Sequence, residues 1–85
     1  MDISRAEQRI LHLLAQGGRI EPVRDERKKI TELKLFTREG WLFTGLDLAT
    51  FRKLKRRRAI SSRRGQPYGV TRRGLELVRS QLNNR

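Results

Sequence analysis

The stretch "KLKRRRAISSRRGQPYGVTRRG", Lys53 to Gly74, decides how the chain is read. Ten of the 21 Lys and Arg residues lie between Arg52 and Arg73, and no Asp or Glu occurs from Leu48 through Leu75. Ordinary charged surfaces mix both signs, so 28 residues without an acid are more than a solvating face. Just ahead of the stretch, Leu48, Phe51 and Leu54 recur at three-residue spacing with Asp47 placed to cap them, which predicts a helix from about Asp47 to Arg58. Arg52, Lys53, Arg56 and Arg57 project away from that apolar stripe, while Lys55 and Arg58 lie nearer it and extend their heads past it.

Past this helix, Ile60 and Ser62 alternate with Ser61 and Arg63, Arg64-Gly65 supplies a turn, and Tyr68 and Val70 return as a second arm. This is a hairpin pattern. Thr71 then caps a last helix with a stripe of Leu75, Val78 and Leu82 and with Leu77 beside it. Gly74, three residues past the cap, permits close packing on the hairpin.

Toward the N-terminus, Ser4 and Glu7 form the S-x-x-E capping box of a first helix. Ala6, Ile10, Leu13 and Leu14 line its apolar face, Leu11 sits at the margin, and Gly17-Gly18 ends it. His12 falls on the opposite face and has no second ligand or acid at useful spacing. "RIEPVR" and "KITELKLFT" read as two strands joined by "DERKK", with Pro22 marking a sheet edge. "WLF" is a possible third short strand. Trp41 and Phe43 are expected to fill the core, the alternative being that they stack on bases.

The composition bounds what these elements can do. The chain has 85 residues, a formal net charge of +12, a pI near 11.7 and no cysteine. It is expected to form one domain over 1–85, burying roughly 60–65% of the surface its unfolded chain exposes. Such charge gathers polyanions. The start, "MDISRAEQ", has no apolar run, so a soluble cytoplasmic protein without a membrane span is expected. Catalysis is not expected: there is no phosphate-binding glycine loop, no metal-ligand cluster, and no paired carboxylates among the scattered acids. No cofactor or metal is expected.

The predicted fold class is α+β: three helices, an inserted β-hairpin and a hairpin before the last helix. A basic helix, a two-stranded hairpin and a Thr-x-x-Gly helix in succession resemble a winged helix-turn-helix, in which the helix enters a groove and the wing touches flanking backbone. The fit is incomplete, because strands separate the first helix from the basic one. Either a short helical turn lies within Gly40 to Leu46, or a sheet replaces the second helix. The candidate nucleic-acid-binding set is Arg52, Lys53, Arg56 and Arg57 on the helix, with Arg63, Arg64, Arg72 and Arg73 on and beside the wing. Thr50 is the one short polar side chain on the helix, and no Asn or Gln stands ready to read adenine, so binding is expected to be non-specific or shape-dependent.

Four blocks, "SRAEQRILHLLAQGGRI", "TREGWL", "FRKLKRRRAISS" and "GQPYGVTRRGL", resemble the small bacterial YjhX-type proteins from end to end. Gly69 departs from that pattern, which has a longer, usually basic residue there. The resemblance implies a toxin of a toxin–antitoxin pair that inhibits bacterial DNA topoisomerase I. DNA, topoisomerase I and a cognate antitoxin are the implied partners, and an acidic antitoxin is expected to cover the basic face. The alternative is a winged-helix transcriptional regulator without toxin activity. The narrow surface of the last helix favours a monomer or weak dimer.

Overall fold

The first helix, α1 (Arg5–Ala15), starts at the capping box expected for it. The Glu7 amide donates to Ser4 Oγ at 3.1 Å, and the Ser4 amide donates to Glu7 Oε1 at 3.0 Å. It ends in a Schellman turn. Gly17, at φ +110°, donates to the Leu14 carbonyl and Gly18 to that of Leu13, both at 3.1 Å. These atoms belong to a computed structural model that describes residues 3–83. His12 is exposed, as expected. The buried face differs from the expected one: Glu7, Ile10, Leu11 and Leu14 are buried, whereas Ala6 is exposed and Leu13 half-buried. A methyl group gains little from burial, while the Glu7 carboxylate finds donors and cations inside. The helix is rotated accordingly.

Strands β1 (Arg19–Arg24), β2 (Ile30–Phe36) and β3 (Leu42–Phe43) form an antiparallel sheet in the order β1-β2-β3. The β1–β2 turn is held by Asp25, whose carboxylate accepts the amides of Arg27 and Lys29 at 2.8 and 2.9 Å. Ile20 pairs with Leu35, and both are fully buried. On the outer side of β1, Ile20 exchanges two backbone hydrogen bonds with Tyr68, at 2.9 and 2.8 Å. Pro22, two residues along the same edge, has no amide to extend that pairing. The segment from Gly40 to Leu46 contains no helical turn, and the chain passes from β3 to the next helix through irregular backbone.

Trp41 does not fill the core. It is 74% exposed, while Phe43 packs against the core. Its position is set by a turn, in which the Thr37 amide donates to the Trp41 carbonyl and the Trp41 amide donates to Thr37 Oγ1. Phe43 alone takes the inward place.

Helix α2 (Leu48–Arg56) is capped by Asp47, whose carboxylate accepts the Thr50 amide at 2.7 Å. That bond holds the Asp47 pKa below its usual value. Phe51 and Leu54 are fully buried and Leu48 packs against them. The helix ends in the same Schellman turn as α1, with Arg58 at φ +59° where α1 has glycine. β4 (Ile60–Ser61) pairs with β5 (Gly69–Val70) around a tip where Arg64 and Gly65 both have positive φ.

Helix α3 (Arg72–Asn83) follows Thr71, whose Oγ1 accepts the Gly74 amide at 3.0 Å and donates to the Arg58 carbonyl at 2.6 Å. Leu77 and Val78 are its core residues and Leu75 is half-buried. The arc is displaced from the expected stripe because α3 lies across both α1 and β5. The side chain of Leu82 lies outside the described residues.

Glu7 is the one buried charged side chain among the described residues, at 2% exposure. Lys53 Nζ lies 3.1 Å from its Oε1, and Arg57 Nε lies 4.0 Å from its Oε2. Burial opposes ionisation, but the Ser4 amide, Lys53 and the Ser4 hydroxyl together outweigh it, holding the carboxyl below the ordinary 4.5. A group acidified by folding stabilises fully above its unfolded pKa, and that stabilisation is lost as pH falls through the folded value.

Two outcomes follow from this packing. Gly74→Ala adds a Cβ that would overlap the Ala59 carbonyl oxygen and lie 2.7 Å from Val70 Cγ2. The substitution should therefore cost about 1–3 kcal/mol in urea unfolding, although alanine is normally favoured inside a helix by about 1 kcal/mol. Glu7→Gln keeps the shape of the capping box but removes the charge. It should cost about 1–2 kcal/mol at pH 7, since Lys53 is 44% exposed and partly screened. The stability that the native chain loses as pH drops below about 4.5 should shrink in this variant.

Candidate nucleic-acid interface

The helical periodicity that buries Phe51 and Leu54 divides the remaining cations of α2 between two flanks. Lys53 and Arg57 turn toward Glu7 at the start of α1. Arg52 and Arg56 stand on the other flank and are exposed. Four residues that are equivalent by spacing alone thus have two environments. The charges of Lys53 and Arg57 are partly compensated inside the fold. Those of Arg52 and Arg56 have no ion pair among the described residues.

Lys55 occupies a third position. Its Nζ lies 5.6 Å from the ring centres of both Phe51 and Tyr68, which meet edge-on at 5.0 Å. The chain therefore crosses an apolar ring pair before presenting its charge, as its place beside the stripe predicts.

The β4–β5 hairpin carries Arg63 and Arg64 on an exposed tip. Ser62 Oγ donates to the Gln66 carbonyl, and the Gln66 amide donates to that of Arg63, which closes the tip. Arg63 and Arg72 border one groove of about 490 Å³, floored by Gly69 and Val70. Arg72 and Arg73 are both exposed in the first turn of α3, and Arg73 lies 3.8 Å from Glu76. Arg52, Arg56, Arg63, Arg64 and Arg72 therefore remain without an ion pair among the described residues.

Arg58 is absent from the candidate set, although it is exposed at the junction of α2 and β4. Its left-handed backbone costs a non-glycine residue roughly 1–2 kcal/mol, and its carbonyl is held by Thr71. The missed signal is the absence of glycine where a helix stops and a strand begins within three residues. Gly69 faces open space: a Cβ added there would meet nothing within 4 Å, so a longer side chain fits.

Comparison with known proteins covers the whole chain. Residues 1–85 match the YjhX toxin family, described as "Putative toxin of bacterial toxin-antitoxin pair". The chain is 71% identical over 84 residues to a UPF0386 protein of Hyphomonas neptunium, covering 99% of each. It is also 71% identical to a UPF0386 protein of Agrobacterium fabrum and 68% identical to one of Rhizobium johnstonii, covering 100% of each chain in both cases. No solved structure matches it. With end-to-end agreement in both length and sequence, the chain belongs to the YjhX toxin family.

Proposed function

We propose that this chain acts as a toxin by binding DNA through α2, the β4–β5 hairpin and the start of α3, and so inhibits bacterial DNA topoisomerase I on that DNA. The observation that carries this reading is the set of exposed cations Arg52, Arg56, Arg63, Arg64 and Arg72, without ion pairs among the described residues and drawn from a stretch lacking any acid. The order of α2, hairpin and α3 supports a winged-helix-like mode in which the helix meets a groove and the hairpin meets flanking phosphates. Family membership implies a cognate antitoxin as a partner.

The target side of the reading follows from charge. A groove built to hold DNA phosphates is lined by cations and repels a protein of this charge. Capture of the DNA, or a ternary complex with enzyme and DNA, avoids that repulsion. The exposed flank of α2 offers arginine without Asn or Gln, which favours phosphate contact over base reading and disfavours a sequence-specific regulator.

Binding of the nuclease-treated protein to topoisomerase I, with and without a short duplex, should occur only with DNA; association without it contradicts the proposal. If about five phosphates are neutralised, duplex affinity should fall roughly 10²–10³-fold between 50 and 200 mM salt. Arg52→Glu/Arg56→Glu should abolish plasmid-relaxation inhibition while the chain stays folded. Arg57 is unsuited to charge reversal, since a carboxylate there would face Glu7. Arg58→Gly separates stability from binding: relieving its left-handed backbone should stabilise the chain by about 1 kcal/mol while weakening duplex binding.

A further inference from the structure

At the edge of the sheet away from the hairpin, β3 has no strand on its outer side among the described residues. Thr37 and Trp41, then Leu35 and Phe43, direct their backbone groups toward each other across β2 and β3. Strand alternation therefore turns the Leu42 amide and carbonyl outward. The side chains beside this edge are apolar and exposed, Trp41 at 74% and Leu42 at 52%. Large exposed apolar side chains next to unpaired backbone are the elements of strand addition by a partner, and tryptophan is enriched among residues that dominate binding energy.

The charge next to this edge indicates the kind of partner. A groove of about 370 Å³ at the end of β3 is lined by Phe43, Gly45, Ala6, Arg5 and Arg9. Arg5 and Arg9 are exposed, one turn apart on the side of α1 opposite its buried face, and neither has an ion pair among the described residues. Like charges at this spacing repel, and bound carboxylates would relieve that repulsion. From Trp41 to Gly45 is about 13 Å of extended chain, so one short strand can reach both the indole and the two guanidinium groups.

We infer that the β3 edge, with Trp41, Leu42, Arg5 and Arg9, is a docking site for an extended acidic segment of a partner protein. A second copy of this chain fits poorly, because it brings a charge of +12 and the same arginines to the contact. The site lies across the sheet from the hairpin, three strand spacings or about 14 Å from β5. Protein and nucleic acid therefore have separate places, and the partner need not cover α2. This inference does not depend on the DNA reading.

Trp41 is the chain's one tryptophan, so its fluorescence reports on the site directly. The probe is an end-blocked six-residue peptide alternating Glu and Val, titrated into the full chain at low salt. It should shift Trp41 emission to the blue, and Arg5→Glu/Arg9→Glu should weaken its binding about tenfold or more, corresponding to two lost charge contacts. Adding a short duplex DNA should leave the emission unaltered, and the double variant should remain helical by circular dichroism. No shift with the peptide, or an equal shift with a Lys–Val peptide, overturns the inference. A shift produced by DNA alone would make this a base-stacking site, and a shift on concentrating the protein alone would make it a contact between copies; either contradicts the proposal.

Discussion

One buried carboxylate governs much of this molecule. In a chain of net charge +12, Glu7 is held inside by the Ser4 amide and by Lys53, with Arg57 at its second oxygen. A buried charge left unpaired would be costly, and the placement of α2 lets its side chains supply both cations. The same contact satisfies the first turn of α1 and withdraws two positive charges from the self-repulsion of α2. Because Lys53 and Arg57 are turned inward, Arg52 and Arg56 are turned out.

A chain of tight junctions carries that order onward. Arg58 ends α2 in a left-handed turn, its carbonyl accepts from Thr71, and Thr71 caps α3 through the Gly74 amide. Gly74 lets α3 approach the Ala59 carbonyl more closely than any side chain would permit. On the other side, Tyr68 joins the hairpin to Ile20 of β1 by two backbone hydrogen bonds and lays its ring edge-on to Phe51. The hairpin is thus anchored to the sheet, to α2 and to α3. Its short two-residue strands are supported by tertiary contacts rather than by their own ladder.

Local signals in the sequence are reliable wherever one residue type has one strong backbone use. Ser4 with Glu7, Asp47, Thr71, Gly17 and Gly74 all mark the features they predict, and the α+β class with its hairpins follows from them. Signals that depend on which face meets which neighbour are not. Glu7 reads as a capping residue, and nothing local shows that its second role is to pair with cations 46 and 50 positions away. Equal spacing makes Lys53 and Arg56 look alike. Trp41 reads as core by its size, yet the turn at Thr37 leaves it outside. The acid-free stretch is legible as a cationic surface; its division into compensated and exposed arginines requires the fold.

Joint action of the exposed flank of α2, the hairpin tip and the start of α3 on nucleic acid is the central claim. Backbone amide NMR during titration with a short duplex at low salt tests it most directly. Signals of Arg52, Arg56, Ser62 to Gly65 and Arg72 should shift together, while those from Trp41 to Gly45 stay in place. Shifts confined to the β3 edge, or no shifts at all, would contradict it.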